Sequence, residues 1–213
     1  MFRRCNVKKA IISIILCFML VTTLSDTALA ATNLGTLSCW YSDSDSIARW
    51  DKSSITVYTN KLNSNGSFYF SMGMFLGCGK WEDALGITIS SSSYDTSAPI
   101  IFYGGTRDEV SAYADFTISS STNGVTQRIQ SVEGTWKYGN TSKTGMLISS
   151  AVGYIIDKNH TTDEYEKTCA HELGHALGWA GHSSNSSDIM YSSGSSVTSL
   201  TTRDSEHLSQ VYK

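Results

Sequence analysis

The sequence predicts an α+β domain, because segments with the two-residue period of strands lie between segments with the period of helices. Ile55 and Val57 alternate with polar neighbours and predict a first strand. Apolar residues then recur at helical spacing, at Met74, Cys78, Trp81 and Leu85. This second pattern predicts a helix that ends at Gly86.

The same two periods predict further strands and helices along the chain. Four segments are predicted as strands: residues 87–89, 100–103, 113–118 and 151–156. A second helix begins after Thr161, because Thr161 and Glu164 form a capping-box signature. It ends near residue 177, where Gly178 suits a left-handed helix terminus. A short last helix starts near Thr202, and no break in composition divides the chain into two domains.

The first 30 residues have the pattern of a secretory signal peptide. Basic residues come first, at Arg3, Arg4, Lys8 and Lys9. An apolar run over residues 10–21 and an Ala-Leu-Ala cleavage site at residues 28–30 follow. The run is shorter than the roughly 20 residues of a spanning helix, so we expect secretion without a membrane anchor. The mature chain is then one domain of residues 31–213, in which residues 31–50 form a short pro-segment or an N-terminal extension.

The composition excludes some classes of partner. The chain is 40% hydrophobic and 16% charged, which is typical of a folded domain rather than a disordered chain. Its formal net charge is −3, so it has no basic excess with which to neutralise phosphates. We therefore expect no nucleic-acid partner, and we expect a monomer.

Residues 171–175 read His-Glu-Leu-Gly-His on the second predicted helix. Residues four apart on a helix are separated by about 40° around the axis and about 6 Å along it, so His171 and His175 can bind one metal ion. Neutral imidazole suits Zn²⁺, which in catalytic sites keeps three protein ligands and one open position. Glu172 points about 100° away from His171, which fits a general base that takes a proton from the attacking water.

A catalytic zinc needs a third ligand, and His182 is the nearest histidine. Gly178 lets the helix end so that the chain can turn back toward the metal, and residues 188–191 (Asp-Ile-Met-Tyr) come shortly afterwards. In these features the sequence resembles the matrixin-like group of the metzincin zinc metallopeptidases. That group shares His-Glu-x-x-His-x-x-Gly-x-x-His followed by a methionine-containing turn. The resemblance covers about residues 145–213.

The resemblance implies a metzincin-like fold: a twisted, mostly parallel sheet with an active-site helix, a backing helix and a C-terminal helix. It also implies that Met190 forms an apolar floor beneath the histidines and that Tyr191 helps to form the wall of the specificity pocket. Asp204 matches a position that often supports the methionine turn. Substrates of this clan lie extended along an edge strand, and residues 151–156 are the segment predicted for that role.

The sequence departs from the family pattern at the third ligand. The pattern places a histidine at position 181, but Gly181 stands there and His182 follows it. We expect the flexible Gly181 to absorb the extra residue as a bulge that leaves His182 on the metal. Two alternatives remain, namely Asp188 as an oxygen ligand and Glu206 as the distant glutamate of a thermolysin-like enzyme.

Three cysteines follow the leader, so they cannot all pair within one chain. Cys169 lies about 200° around the helix from His171 and is expected to be a buried free thiol. Cys39 and Cys78 are expected to form a disulfide in an oxidising compartment. Alternatively, Cys39 occupies the open position of the zinc, as a propeptide cysteine does in matrixins, although residues 36–41 lack the switch motif of that family.

The sequence therefore predicts a secreted zinc metalloendopeptidase that acts on proteins or peptides. His171, His175 and His182 hold Zn²⁺, and Glu172 activates water to attack a peptide carbonyl. One alternative is a zinc-binding adhesion module without turnover, which the intact Glu172 argues against. The other alternative is a zinc amidase that acts on cell-wall peptides.

Overall fold

A computed structural model describes five stretches of the chain: residues 32–41, 47–62, 68–158, 160–192 and 197–212. The predicted signal peptide at residues 1–30 lies outside the described residues. The chain from Thr32 onward forms one compact unit. None of the helices in the described stretches is long and apolar enough to cross a membrane.

One sheet contains every strand of the described residues. The strands are β1 (Thr32–Leu37), β2 (Ile47–Arg49), β3 (Ser54–Lys61), β4 (Thr88–Ser92), β5 (Ile100–Gly105), β6 (Gly124–Tyr138) and β7 (Thr141–Ile156). Their order across the sheet is β1-β6-β7-β5-β3-β4, and β2 pairs with β7. All pairs are parallel except β6 with β7, which is antiparallel. The predicted mostly parallel sheet is therefore confirmed.

Helices pack against this sheet. Those of the described stretches are α1 (Phe68–Leu85), α2 (Arg107–Ser111), α3 (Thr162–Leu177) and α4 (Thr202–Ser209). The sequence predicted α1, α3 and α4, which become the backing helix, the active-site helix and the C-terminal helix. α1 packs against both α3 and α4. Residues of the sheet and of the helices share the main core, which includes Phe102, Met74, Trp81 and Leu173.

The predicted capping box fixes the start of α3. The Glu164 N–H donates to Thr161 Oγ1 at 3.3 Å, and the Thr161 N–H donates to Glu164 Oε2 at 2.7 Å. Two of the N–H groups that the first turn leaves without helical partners are satisfied in this way. The first turn of the helix that carries the histidines is thereby held in place.

Replacing Thr161 with alanine is expected to lower the free energy of unfolding by about 1 kcal/mol, because the cap accepts one N–H of the first turn of α3. Urea unfolding of the wild type and of Thr161→Ala measures the difference. Thr161→Ser is the matched control, since it keeps the hydroxyl and loses only a methyl group. A serine variant as unstable as the alanine variant would contradict the capping explanation.

Residues 113–118 form no strand, so this prediction is wrong. The chain leaves α2 in a turn and carries Ile118 into a second apolar cluster with Val110, Tyr154 and Ile156. The apolar residues of this segment are therefore explained by packing against the sheet rather than by strand pairing.

The prediction that residues 151–156 form an edge strand is also wrong. They lie in β7, which pairs with β5 on one side and with β6 on the other. β6 has the free edge instead, because β1 pairs only with residues 134–138 of that strand. No described strand pairs with the outer edge of residues 124–133.

The described residues before β3, at 32–41 and 47–53, are built into the domain. The side chain of Gln210 accepts the N–H groups of Ser38 and Cys39 at 2.8 and 2.9 Å. Trp50 is buried in the main core, and its indole N–H donates to the carbonyl of Ala176 on α3 at 2.9 Å. This N-terminal stretch therefore contributes contacts to both the last helix and the active-site helix.

Candidate active site

Three histidines converge around the C-terminal half of α3. The Nε2 atoms of His171 and His175, which lie one helical turn apart, are 3.1 Å from each other. His182 approaches from the loop after the helix, with its ring centroid 5.2 Å from that of His171 and 5.1 Å from that of His175. One nitrogen of each ring lies within 4.8 Å of the others, so the group could hold a metal ion.

Two glycines with positive φ bring the chain from α3 to His182. Gly178 ends the helix with φ 130°, and a Cβ there would lie 2.1 Å from the carbonyl oxygen of Ala48. Gly181 has φ 71°, a conformation that residues with a side chain rarely adopt. After the turn at Gly181, His182 lies beside the other two histidines, and its role as the third ligand stays a prediction.

Backbone carbonyls orient two of the imidazole rings. Nδ1 of His171 lies 2.7 Å from the carbonyl oxygen of Ile189, and Nδ1 of His175 lies 2.9 Å from that of Trp179. When Nδ1 carries the proton and donates it, the lone pair of Nε2 is left for a metal. Burial lowers the pKa of His171 well below its ordinary value and that of His175 to about 4. Both rings are therefore neutral, as a ligand must be.

Zinc fits this set of donors. Two nitrogens on a tetrahedral zinc ion stand about 3.3 Å apart when each Zn–N distance is about 2.05 Å. The Nε2 atoms of His171 and His175 already stand close to that separation, at 3.1 Å. Burial also lowers the pKa of His182, which favours the neutral imidazole that a metal requires. Three nitrogen ligands leave a fourth position open, which is typical of catalytic zinc.

The two alternative third ligands lie apart from this group. Asp188 is fully buried, and its carboxylate accepts from Arg203 Nε at 2.6 Å and from Thr201 Oγ1 at 2.7 Å. Glu206 is exposed on α4, where its carboxylate lies 3.5 Å from the hydroxyl of Tyr41. The structure therefore gives Asp188 and Glu206 partners of their own and leaves His182 with the histidines.

Met190 packs against α3 beneath the histidines. A Cβ on Gly174, which lies between the two helical histidines, would be 2.5 Å from Sδ of Met190. The carboxylate of Asp204 accepts the N–H groups of Ile189 and Met190 at 3.0 and 3.3 Å. Tyr191 follows half-buried, and its carbonyl accepts a hydrogen bond from Lys167 Nζ at 3.1 Å. The turn is therefore fixed to both the last helix and the active-site helix.

Glu172, on α3, is buried beside the histidines, and its side chain faces the start of β6. Oγ1 of Thr126 donates to Glu172 Oε2 at 2.8 Å. A Cβ on Gly124 would lie 2.6 Å from Cγ of Glu172, so the strand can approach the helix this closely only with glycine there. Burial raises the pKa of Glu172 to about 7, although the hydrogen bond from Thr126 and the charge of Lys167 oppose the rise.

A cavity of about 420 Å³ opens beside the histidines. Its lining includes Asn123, Gly124, Lys167, His171, Glu172 and His182. The sequence gives no sign of Thr126 or Gly124, because strand pairing brings them to the site from a distant part of the chain. The place of Lys167 at the site can be predicted from the sequence, because it stands four residues before His171 and so lies on the same face of the helix.

Two cations hold the segment that forms one wall of this cavity. The guanidinium of Arg107 donates to four backbone carbonyls, those of Ile118, Ser119, Ser120 and Thr122. Lys158 Nζ donates to the carbonyl of Ser120 at 3.2 Å and to Oδ1 of Asn123 at 3.0 Å. These bonds fix the path of the chain into Gly124 and hence into the start of β6.

Replacing Arg107 with methionine is expected to loosen this wall. Each net hydrogen bond contributes about 1 kcal/mol, so the free energy of local opening should fall by about 2 kcal/mol or more. Amide hydrogen exchange of residues 118–123 measures the change. Arg107→Lys is the control with the charge kept, and it should lose less protection. Unchanged exchange in Arg107→Met would mean that other contacts hold the segment.

The three cysteines of the described residues are free, so the predicted disulfide between Cys39 and Cys78 is not formed. Cys39 is held beside α4 through Gln210 and does not join the metal-binding group. Cys78 is buried on α1, and this burial raises the pKa of its thiol to about 12. Cys169 is a fully buried free thiol, as predicted.

A mostly parallel sheet, a helix with two histidines and a methionine packed beneath them together define the metzincin class of metallopeptidases. Within that class the chain belongs to the matrixin family, whose family model matches residues 80–213. A search of curated proteins finds no match to the chain. Family membership indicates a metallopeptidase-type protein with peptide substrates, and the histidine group could hold the zinc on which the family depends.

Proposed function

We propose that the protein is a secreted zinc-dependent endopeptidase in which His171, His175 and His182 hold the metal and Glu172 is the general base. One observation carries the proposal: Glu172 is buried next to three neutral histidines and lines the same cavity as His171 and His182. A purely structural zinc site has no use for a buried carboxylate with a raised pKa beside it. This arrangement therefore favours catalysis over simple metal binding.

The chemistry divides between the metal and the protein. Zinc, when bound, would polarise the peptide carbonyl and lower the pKa of water. Glu172 takes a proton from the attacking water and passes it to the departing amine. Burial raises the pKa of this carboxyl group and so helps it to hold the proton between the two transfers. Thr126 holds the carboxylate in position for both transfers through its hydrogen bond to Oε2. Met190 and Asp204 keep the floor of the site rigid.

The substrate is proposed to bind as an extended strand along the free edge of β6. Residues 124–128 of this edge run beside α3, since Thr126 bonds to Glu172 and Arg128 donates to the carbonyl of Trp179 at 3.3 Å. Backbone pairing to an exposed edge holds a peptide whatever its sequence. β6 thereby takes the role that the sequence assigned to residues 151–156.

The proposal includes the processing of the chain. Residues 1–30 act as the signal peptide, and residues 31–213 form the secreted domain. Residues 31–50 are proposed to remain as an N-terminal extension rather than to leave as a pro-segment. The contacts of Ser38, Cys39 and Trp50 with the rest of the domain support this choice.

The proposal is tested by incubating the purified mature protein with an unfolded protein, such as reduced and carboxymethylated lysozyme. We expect internal cleavage that stops with a chelator and returns when zinc is added. Binding of the unfolded protein without cleavage would favour the adhesion module. Cleavage of cell-wall peptide fragments alone would favour the amidase, and either result would refute the endopeptidase.

The hydrolysis rate is expected to follow the ionisation of Glu172. A general base must be deprotonated, so kcat/KM falls as the pH drops through the pKa of this carboxyl group. The nearby metal charge favours the carboxylate, so in the zinc enzyme this acid limb lies below the value of about 7 that burial alone produces. Thr126→Val removes a hydrogen bond that favours the carboxylate and should move the limb upward by about one pH unit.

The pH profile of kcat/KM for the wild type and for Thr126→Val measures this shift. Thr126→Ser is the control, because it keeps the hydroxyl that donates to Glu172. The serine variant should keep the acid limb of the wild type. Coincident profiles for wild type and valine variant would show that Thr126 does not stabilise the ionised base.

A further inference from the structure

Asn123 brings an amide group to the wall of the active-site cavity. It directly precedes β6, and it lines the cavity together with His171 and Glu172. Nζ of Lys158 donates to Oδ1 of Asn123 at 3.0 Å. Because an ammonium group has donors only, this contact fixes which way the amide is turned. The oxygen faces Lys158, and Nδ2 is the end that remains for other contacts.

The amide nitrogen of Asn123 has hydrogen-bonding capacity left for a ligand. Nδ2 carries two N–H groups, and neither donates to a group of the protein in the described stretches. The residue is nevertheless held in place. Its backbone carbonyl accepts the N–H of Ile156 at 2.8 Å, and Lys158 is anchored by a second bond, to the carbonyl of Ser120 at 3.2 Å. Asn123 therefore offers a fixed donor at the edge of the cavity.

The rest of the cavity lining is polar and carries both signs of charge. Within the described residues, no purely hydrocarbon side chain lines it. Glu164 and Glu172 are acidic and Lys167 is basic, so a charged substrate side chain of either sign would meet a like charge. Thr168 and Ser192 add hydroxyl groups, each of which can accept a hydrogen bond. A neutral side chain with an acceptor oxygen and N–H donors fits this lining best.

The cavity lies where a substrate side chain would enter. A peptide paired with the edge of β6 passes Gly124 and Thr126, which contact Glu172. The side chain next to the scissile bond can then point into the cavity. We propose that Asn123 selects peptides with a glutamine or asparagine side chain adjacent to the scissile bond, by donating from Nδ2 to the side-chain carbonyl oxygen. This inference rests on the proposed endopeptidase function and names its substrate class.

The test uses the zinc-loaded mature protein and fluorogenic peptides that differ at one residue on either side of the scissile bond. Glutamine is compared with methionine and asparagine with leucine, because each pair is similar in size but only the amide can accept a hydrogen bond. One net hydrogen bond should raise kcat/KM about fivefold for an amide peptide over its apolar partner, at one of the two positions. A glutamate peptide should fall below the glutamine peptide there, since the acidic groups of the cavity repel it.

Variants assign the preference to Asn123. Asn123→Ala removes the donor and should make the amide and apolar peptides equal. Lys158→Met keeps the amide but frees it to turn, so a weaker preference for the amide peptide should remain. A purely structural role of Asn123 would change the rate and leave the ratio of the two peptides as it is. Asn140→Ala, at the exposed turn between β6 and β7, is the matched control and should leave both unchanged.

The possible results separate this inference from the proposed function. If the wild type cleaves none of the peptides and no unfolded protein, the endopeptidase proposal fails and the preference fails with it. If it cleaves proteins but treats amide and apolar peptides alike, or glutamate as well as glutamine, the preference alone is refuted. A preference that persists in Asn123→Ala would show that another group reads the amide. The wild-type comparison decides even if a variant does not fold, which circular dichroism reveals.

Discussion

Replacing Glu172 with glutamine is expected to reduce peptide hydrolysis by about 10²–10⁴-fold, the usual contribution of a general base. Glutamine has the shape of glutamate and can still accept the hydrogen bond from Thr126, so the cavity is kept. It cannot take a proton from water at neutral pH. The three histidines are untouched, so the variant should bind one zinc ion per chain with the affinity of the wild type.

The measurements are kcat/KM on a fluorogenic peptide and the zinc content of the dialysed protein. Glu206→Gln is the matched control, since it makes the same change on the exposed face of α4. It should keep full activity, whereas the thermolysin-like alternative requires that it lose zinc. A Glu172→Gln variant with wild-type activity would remove Glu172 from the mechanism.

The elements that the sequence predicted are those whose own residues carry the pattern. α3 has a capping box at its start and a glycine at its end, and both are local signals. α1 was predicted from its apolar spacing, although Gly73 and Gly77 weaken a helix in isolation. In the fold these glycines face α3, where a Cβ would lie 3.1 Å from the carbonyl oxygen of Tyr165 and 3.2 Å from Cα of Ala170. Close helix packing is a tertiary property and leaves no local pattern.

β6 was missed because few of its residues are buried. Among the residues of β6 whose burial is described, only Gly134 and Trp136 are buried, and Ile129 and Val132 have exposed apolar side chains. A strand exposed in this way has no regular two-residue alternation of apolar and polar positions. No pattern in the sequence therefore predicts a long hairpin here. The strand edge for the substrate was assigned to the more apolar β7 instead.

The residues of the site also differ in whether a local sequence pattern reveals them. The metal-binding histidines and Glu172 are visible because helical geometry links spacing to direction. Thr126, Gly124 and Arg107 come from other parts of the chain. Only the pairing of strands and the path of a loop bring Thr126 and Gly124 to Glu172 and bring Arg107 to the segment that forms the cavity wall. The expected disulfide failed for a related reason. A count of cysteines says nothing of distance, and the fold holds Cys39 beside α4 and buries Cys78 on α1.

Replacing His182 with alanine removes a direct ligand and is expected to weaken zinc binding strongly. Loss of a residue that only hydrogen-bonds to a metal ligand costs about 10–100-fold in affinity, and the loss here should be larger. Hydrolysis at limiting zinc should fall with it. The two helical histidines would remain, but a two-nitrogen site lacks the three protein ligands of catalytic zinc. Competition with a chromogenic chelator measures the affinity, and added zinc should restore only part of the rate.

His160→Ala is the control for loss of a histidine outside the metal-binding group, and it should keep the affinity of the wild type. Asp188→Asn tests the oxygen-ligand alternative. Because the Asp188 carboxylate already accepts from Arg203 and Thr201, this change should lower the free energy of unfolding and leave zinc affinity intact. If Asp188→Asn lost zinc while His182→Ala kept it, the bulge at Gly181 would not serve to bring a ligand to the metal. The third ligand would then come from the methionine turn.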